Sequence, residues 1–126
     1  MENEKLRILI LEDDFFLSRL FKRVMMRQTE DLDIYTVQTM DSARRHLREL
    51  TFDLFLCDLQ VGRENALNLL IEEEAQLTKT SVCIVSAWTR YQFATSLLGV
   101  ANFLVKPVSI HEIEDLINTL STDRIH

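Results

Sequence analysis

The chain has 126 residues and a mass of 14.8 kDa, a length typical of one domain. Apolar residues make up 47% and charged residues 27%, close to a globular average, which excludes a disordered or fibrous chain. The net charge of −6 and the pI near 5.0 argue against direct nucleic-acid binding as the main function. Two Gly residues and one Pro residue are too few for a barrel or sandwich of many short strands.

The N-terminal sequence Met-Glu-Asn-Glu-Lys lacks the apolar core of a signal peptide, and no apolar run approaches the ~20 residues that span a membrane. We therefore expect a cytoplasmic protein with no membrane partner. Cys57 and Cys83, the only cysteines, each lie in an apolar run, which predicts reduced core residues. A disulfide between them is the alternative.

The first half of the chain alternates short apolar runs with helical patterns. Residues 7–11 predict a buried strand, and the more polar run at 33–38 predicts an edge strand. Residues 15–27 predict a helix, and Asp41 is a candidate cap for a second one. The predicted buried faces of these two helices are Phe16, Leu17, Leu20, Phe21 and Val24, and then Ala43, Leu47 and Leu50.

The second half repeats this alternation three times. Short apolar runs at 53–57, 81–85 and 101–105 predict strands. A helix is predicted over residues 65–77, with a buried face of Ala66, Leu67, Leu70, Ile71 and Leu77. A short helix is predicted from a Thr89 cap to Leu98, ended by Gly99. The last helix begins with the capping box of Ser109 and Glu112, and its apolar stripe is Ile110, Ile113, Leu116, Ile117 and Leu120.

Five β-α units in succession predict a fold of the α/β class. Near-continuous apolar strands are typical of a parallel sheet that helices cover on both faces. We therefore expect a (βα)5 doubly wound sheet with right-handed crossovers.

Polar side chains follow four of the predicted strands. The first strand is followed by Glu12, Asp13 and Asp14, the third by Asp58, the fourth by Ser86 and the fifth by Lys106. In open α/β sheets ligands bind beyond the carboxyl ends of the strands, so these groups should lie close together. Clustered carboxylates repel one another, and a hard cation such as Mg²⁺ removes that penalty.

Each of these groups also has a purely structural interpretation. Asp14 is well placed to cap the first helix, and we favour that role over metal binding. Asp58 alone could be a turn residue, and Lys106 with Pro107 could simply mark a loop. It is their combination on four strand ends that predicts a site.

The chain resembles the receiver domain of two-component response regulators. The resemblance runs through RILILEDD, DLFLCDLQVG, CIVSAW and NFLVKPVS, over nearly the whole chain. The spacings also match: 45 residues from Asp13 to Asp58, 28 from Asp58 to Ser86 and 20 from Ser86 to Lys106. It implies a flavodoxin-like sheet in the order 2-1-3-4-5, and a single receiver domain over residues 1–126 with no output domain on this chain.

The resemblance also implies a role for each site residue. Asp58 would accept a phosphoryl group, while Asp13 directly and Glu12 through water would hold Mg²⁺. The main-chain carbonyl of Gln60 would be a further metal ligand. Lys106 would pair with the acyl phosphate, and Ser86 would bond to a phosphoryl oxygen. Phe103 would be the aromatic switch residue, although a half-buried strand aromatic is an equally simple interpretation.

The sequence departs from the family pattern around the site. The loop after Asp58 lacks the Pro that usually stiffens it. The residue two beyond Ser86 is the large Trp88. Gln60 and Trp88 are implied to line the approach of the water that hydrolyses the phosphate, so we expect slow self-dephosphorylation.

The function implied is a phosphorylation-dependent signalling switch that takes its phosphoryl group from a phosphohistidine. Its partners would be a sensor histidine kinase or a histidine phosphotransfer protein and an unknown downstream target. A pseudo-receiver that binds partners without phosphorylation is the alternative. A flavodoxin-like electron carrier is disfavoured, because the acidic residues 12–14 would repel a cofactor phosphate.

Two surfaces are candidates for partner contact. The outer face of the first helix carries Arg19, Lys22, Arg23 and Arg27, which form either a solvated face or a docking surface for the phosphodonor. Trp88, Tyr91 and Phe93 cannot all be buried on one side of the fourth helix. An exposed aromatic there would suit a homodimer through the fourth helix, fifth strand and fifth helix.

Overall fold

A computed structural model describes the backbone of residues 5–125 and the side chains of residues 5–122. The strands are β1 Leu6–Leu11, β2 Leu32–Val37, β3 Leu54–Asp58, β4 Gln60–Val61, β5 Glu64–Asn65, β6 Ser81–Ser86 and β7 Asn102–Val105. The α-helices are α1 Phe15–Gln28, α2 Met40–Glu49, α3 Leu67–Glu72, α4 Gln92–Leu97 and α5 Ile110–Ile125. Single 3₁₀ turns occupy Glu74–Leu77 and Thr89–Tyr91. None of the described helices is long and apolar enough to cross a bilayer.

Five parallel strands form the central sheet in the order β2-β1-β3-β6-β7. β4 and β5 pair separately as an antiparallel hairpin. Without this hairpin, the order is 2-1-3-4-5, so the predicted doubly wound, flavodoxin-like fold is confirmed. Every residue of β3 is buried, because it lies in the middle of the sheet with helices on both faces.

Two apolar clusters fill the spaces on either side of the sheet. On one side, α1 and α5 pack on alternate strand residues, with Phe21, Met25 and Ile117 buried there. On the other, α2 and α3 cover the remaining strand residues, with Leu47 and Leu69 buried. Alternation of side chains along each strand sends neighbouring residues into different clusters. The clusters hold the sheet rigid and fix where its carboxyl ends lie.

The two cysteines illustrate this alternation. Cys57 and Cys83 are both free and buried, as predicted. They lie on the paired strands β3 and β6, but Cys57 is opposite Ile84 and belongs to one cluster, whereas Cys83 belongs to the other. Their side chains point to opposite faces of the sheet, which excludes the disulfide. Burial raises the pKa of the Cys57 thiol well above its usual value and that of Cys83 to about 12.

Two of the predicted helix caps are confirmed. The side chain of Asp14 accepts a hydrogen bond from the Leu17 amide at 3.1 Å. Ser109 and Glu112 form the reciprocal capping box at 3.1 and 3.2 Å. Both patterns are local, so the sequence is sufficient to specify them.

The predicted cap of the second helix is wrong by two residues. Thr39 is the cap and accepts a hydrogen bond from the Ser42 amide at 3.1 Å. Asp41 lies inside the first turn, where it pairs with Arg44 at 2.8 Å. The helix begins earlier than expected because Met40 is buried in the core.

The helix predicted over residues 65–77 is also wrong. The chain forms the β4–β5 hairpin first, then a short α3 and a 3₁₀ turn. Glu73 lies between these two helical pieces and is buried, with both carboxylate oxygens bonded to Arg48 of α2 at 2.9 and 3.0 Å. Leu69 takes the buried position, and Ile71 is exposed.

Helix ends account for the other differences. Thr89 does not cap the fourth helix: residues 89–91 form a 3₁₀ turn and α4 follows without a side-chain cap. Gly99 does end that helix, with a φ of +79° that favours glycine. Phe16 and Ile110 were expected in the core but are exposed, because each lies in the first turn of its helix, beyond the apolar clusters.

The Asp14 cap gives a stability prediction. Asp14→Ala should lower the free energy of unfolding by about 1 kcal/mol, because the Leu17 amide loses its acceptor. Asp14→Asn keeps an acceptor oxygen and should remain close to the wild type. Urea unfolding of the three proteins measures this, and equal stability of Asp14→Ala and wild type would contradict the assignment.

Candidate functional site

The carboxyl ends of β1, β3, β6 and β7 meet at one edge of the sheet. Glu12 and Asp13 follow β1, and Asp58 ends β3. Carboxylate oxygens of these three residues all lie within 4.8 Å of one another. Glu12 is only 1% exposed and Asp58 only 5%, whereas Asp13 is exposed. Two of the three acids are therefore nearly withdrawn from water, and the third faces it.

Lys106, just after β7, neutralises part of this charge. Its Nζ donates to Glu12 Oε1 and to Asp58 Oδ2, each at 3.1 Å. The backbone holds the residue in place, since the Lys106 amide donates to the Ser86 carbonyl at 3.0 Å. Burial by itself lowers the pKa of Lys106, but the two carboxylates outweigh it and the pKa is raised. The ammonium therefore stays charged at neutral pH.

Glu12 carries the largest electrostatic cost in the site. Its pKa is raised to about 7, chiefly by burial and also by the neighbouring Asp58 carboxylate. The Asp14 amide, which donates to Glu12 Oε2 at 3.1 Å, and the Lys106 ammonium act in the opposite direction. Glu12 is therefore poised to lose or gain a proton near neutral pH.

Asp13 is in a different environment, although it is adjacent in sequence. The Gly62 amide at the tip of the β4–β5 hairpin donates to Asp13 Oδ2 at 2.9 Å. This hydrogen bond lowers the pKa of Asp13 below its usual value. Asp13 is therefore an ionised, solvent-facing carboxylate beside two buried ones.

The remaining predicted residues surround Asp58. The Gln60 amide donates to Asp58 Oδ1 at 3.2 Å. Ser86 is buried on the neighbouring strand β6, and its Oγ accepts a hydrogen bond from the Trp88 amide at 2.9 Å. A hydroxyl that accepts in this way still has its own proton to donate. Ser86 can therefore serve as a donor at this edge of the sheet.

The two aromatic residues lie further out. Phe103 on β7 is half-buried and packs against the cluster on the α2 and α3 side. The Trp88 side chain is about half exposed, at 51%, and the Arg90 guanidinium lies 4.8 Å from its ring centre. Gln60 is exposed.

Sequence reasoning missed two features of this region. The sequence predicts a loop after Asp58 and a helix from residue 65, so the hairpin and the contact of Gly62 with Asp13 were missed. The signal was the pair Gly62-Arg63 between Val61 and Glu64, since a glycine in a two-residue connection is typical of a hairpin turn. The stacking of Arg90 on Trp88 and Tyr91 was also missed, because no local sequence pattern predicts it.

The donor set fits a hard divalent cation. The three acids offer only oxygen ligands, two of them buried and one accessible from solvent. With Lys106 counted, the group carries an excess of negative charge when all the acids are ionised. A cation bound through oxygen atoms would offset this excess, which is the chemistry of Mg²⁺ or Ca²⁺ rather than of a metal that prefers sulfur.

Known proteins share this fold and part of this sequence. The family model described as the response regulator receiver domain matches residues 8–118. The alginate biosynthesis transcriptional regulatory protein AlgB of Pseudomonas putida is 30% identical over 105 residues, which is 82% of this chain and 23% of that protein. The chain thus corresponds to less than a quarter of the length of this relative.

Two solved structures are also similar. The non-phosphorylated HemR receiver domain from Leptospira biflexa superposes with a TM-score of 0.82 at 23% identity, over 92% of this chain and 94% of that one. A response regulator from Burkholderia pseudomallei, solved with a phosphorylated aspartic acid, calcium ion and citrate, gives a TM-score of 0.79 at 15% identity, over 96% of this chain and 72% of that one. At these identities the likeness concerns the fold.

The fold, the site and the match to the family model together define the class of protein. It is a signalling domain with an acidic site at the carboxyl edge of a parallel sheet. The chain belongs to the response regulator receiver domain family of two-component signal transduction. Members of this family are phosphorylation-dependent switches.

Glu12 gives a pH prediction. A carboxyl whose pKa is raised on folding contributes stability that is complete below about pH 4.5 and lost as the pH rises through about 7. With a chelator present, the free energy of unfolding of the wild type should fall on the order of 2 kcal/mol more than that of Glu12→Gln between pH 5 and pH 8. Urea unfolding at several pH values tests this, and parallel pH profiles for the two proteins would contradict it.

Proposed function

We propose that Asp58 is the residue that accepts the phosphoryl group, and that the donor is a phosphohistidine on a sensor kinase or a phosphotransfer protein. The observation that carries this proposal is the position of its carboxylate. Asp58 lies at the end of the central strand, 3.1 Å from the Lys106 ammonium and within reach of two further acids. Glu12 also contacts Lys106 and belongs to the candidate cation site, but it is only 1% exposed, against 5% for Asp58.

Glu12, Asp13 and Asp58 would hold Mg²⁺, together with the main-chain carbonyl of Gln60. When bound, the cation supplies positive charge that offsets the charge on the oxygens of the transferring group. The Burkholderia pseudomallei response regulator, whose structure contains both a phosphorylated aspartic acid and a calcium ion, is consistent with an acceptor beside a divalent cation. The oxygen donors described above suit either ion.

The chemistry is a single displacement at phosphorus. A carboxylate oxygen of Asp58 forms a bond to phosphorus while the phosphorus–nitrogen bond of the phosphohistidine breaks, and the bonding electrons leave with the imidazole, which takes up a proton. Lys106 is placed to pair with the phosphoryl oxygens, as a point charge rather than a proton donor. Ser86 is placed to donate its hydroxyl proton to one of them. Catalysis would be mostly positioning and electrostatics.

The signal would leave the site through Ser86 and Phe103. If the Ser86 hydroxyl turns toward the phosphoryl group, it gives up its hydrogen bond with the Trp88 amide, and the loop before α4 is released. Phe103, which is half-buried on the neighbouring strand, would fill the space behind Ser86. A charge change at the sheet edge would thereby select between two packings of α4 and β7. The alternative, a pseudo-receiver, has no observation in its favour, because every group that the chemistry needs is present.

The donor would dock on α1, next to the site. Phe15 and Phe16 at the start of this helix are 61% and 76% exposed. The basic residues of its outer face, Arg19, Lys22, Arg23 and Arg27, form no ion pair within the described part of the chain, and the Arg19 guanidinium lies 5.8 Å from the centre of the Phe15 ring. An acidic and apolar partner surface would complement this face.

Acceptance at Asp58 has a direct test. Incubation with acetyl phosphate and Mg²⁺ should add one phosphoryl group to the wild type, and Asp58→Asn should gain none, because an amide is not a nucleophile here. Asp14→Asn is the matched control, since it removes a nearby carboxylate but keeps the helix cap, and it should be phosphorylated normally. Intact mass spectrometry reads the result. Labelling of Asp58→Asn at the wild-type level would overturn the proposal.

Trp88 should determine how long the phosphate survives. Hydrolysis needs a water in line with the acyl phosphate, and Gln60 and Trp88 are the residues expected to line that approach. The Trp88→Ala variant should shorten the phosphoprotein half-life several-fold, a barrier change of about 1 kcal/mol. Phe93→Ala, which removes another exposed aromatic residue from the start of α4, is the control and should leave the half-life unchanged. Decay of the phosphorylated mass after donor removal measures both; an unchanged half-life in Trp88→Ala would show that the indole does not shield the site.

The surface of α4, β7 and α5 would carry the output. Its exposed large apolar residues are Trp88, Phe93, Leu97, Leu98, Val105 and Ile110. Several exposed large apolar residues on neighbouring elements are typical of a protein contact. The downstream target is unknown, and a second copy of the chain is the simplest partner.

Self-association through this surface can be measured by sedimentation with and without beryllofluoride as a phosphoryl mimic. The mimic should raise the sedimentation coefficient of the wild type, and the double variant Phe93→Ala/Leu97→Ala should stay monomeric, because it loses the two most exposed side chains. A wild type that stays monomeric in both states would contradict the homodimer.

A further inference from the structure

The tip of the β4–β5 hairpin contacts the acidic site through Gly62. The Gly62 amide donates a hydrogen bond to Asp13 Oδ2 at 2.9 Å, across a separation of 49 residues. Gly62 and Arg63 form the turn between the paired residues Val61 and Glu64. Gly62 has a φ of +59°, a conformation that favours glycine, and nothing lies within 4 Å of the position that a Cβ would take. The hairpin thus aims an amide at the one exposed carboxylate of the site.

This hydrogen bond is compatible with cation binding. With the bond in place, Asp13 still has a carboxylate oxygen within 4.8 Å of those of Glu12 and Asp58. A carboxylate has two oxygens and about four lone-pair sites, so it can accept from an amide and bind a cation together. The hairpin therefore holds the carboxylate in a binding orientation and does not compete with the ion.

The other two acids are fixed by their surroundings, and Asp13 is not. Glu12 and Asp58 are buried and each accepts a hydrogen bond from Lys106. Asp13 is exposed. Among the described residues, the Gly62 amide is the hydrogen-bond donor that links the Asp13 side chain to a distant element. Without this hydrogen bond, an exposed Asp side chain would sample several rotamers, and the cation would bear the entropic cost of fixing it.

We propose that the Gly62 amide is a positioning group for the cation site, and that the β4–β5 hairpin sets cation affinity through Asp13. The inference rests on the proposed role of Asp13 as a cation ligand. Outer hydrogen bonds to metal ligands typically change metal affinity by 10–100-fold when they are removed. A proline at position 62 would have no amide proton to donate, so a Gly62→Pro variant abolishes the bond.

The experiment is a Mg²⁺ titration followed by ¹⁵N NMR on the whole chain. The chain has only two glycines, so the Gly62 amide is readily assigned against that of Gly99. Gly62→Pro should raise the Mg²⁺ dissociation constant about tenfold. Gly62→Asn keeps the amide proton, and Asn tolerates a positive φ better than most residues, so its dissociation constant should stay within about threefold of the wild type.

Coupling to Asp13 separates positioning from a general disturbance of the loop. If Gly62 acts through Asp13, Gly62→Pro should change the dissociation constant less than twofold in an Asp13→Ala background. The Gly62 amide should also exchange with solvent about tenfold faster in Asp13→Ala than in the wild type, a readout that does not require Gly62→Pro to fold.

Each outcome has a distinct meaning. Three results would overturn this inference alone. The first is equal Mg²⁺ affinity of Gly62→Pro and Gly62→Asn, and the second is a tenfold loss of affinity on Gly62→Pro that persists in the Asp13→Ala background. The third is an exchange rate of the Gly62 amide that is the same in Asp13→Ala and in the wild type. Wild-type Mg²⁺ affinity in Asp13→Ala would instead overturn the proposed ligand role of Asp13, on which the inference rests.

Discussion

The pairing of one ammonium with two buried carboxylates is the interaction on which the rest of the site depends. Glu12 and Asp58 are almost completely withdrawn from water, and Lys106 lies 3.1 Å from each. Removing one partner of a buried charge pair typically costs 3–5 kcal/mol, roughly, because the other charge is left uncompensated. The three residues follow three different strands, so the order of the sheet is what brings them together.

One ammonium does not neutralise three carboxylates, and a bound cation would offset the excess negative charge that remains. The fold tolerates it because the β-strands beneath are continuous apolar segments packed on both faces, whose burial stabilises the sheet independently of its edge. The raised pKa of Glu12 and the lowered pKa of Asp13 have different physical causes. Burial allows one acid to become neutral, whereas a hairpin amide keeps the other ionised.

Sequence was sufficient for the features that are specified locally. The strands follow from apolar runs, the Asp14 cap from one residue, and the Ser109 capping box from two residues three apart. The grouping of Glu12, Asp58 and Lys106 was also predictable, because the carboxyl ends of parallel strands share one edge of a sheet. These features need only the period of the pattern and the topology that it implies.

Contacts between distant residues explain what the sequence did not reveal. The helix predicted over residues 65–77 was broken by the bond between Glu73 and Arg48, 25 residues away. The cap of α2 moved to Thr39 because Met40 is buried against the rest of the core. The Gly62 contact joins residues 49 apart and cannot be seen in either segment. In each case a tertiary interaction overrode a local preference of comparable size.

The two ends of the site are held to different degrees, and this asymmetry suits a switch. Glu12 follows β1 and Asp58 ends β3, and both strands lie inside the sheet with a paired strand on each side. Ser86 precedes the short helix α4, which has no side-chain cap and whose neighbourhood carries most of the exposed large apolar side chains. Segments with few buried contacts open at low free energy, whereas the central strands open only on global unfolding. Under the proposed function, a charge added at Asp58 would act on a rigid acceptor and a more easily opened neighbour, which would direct the structural change toward α4.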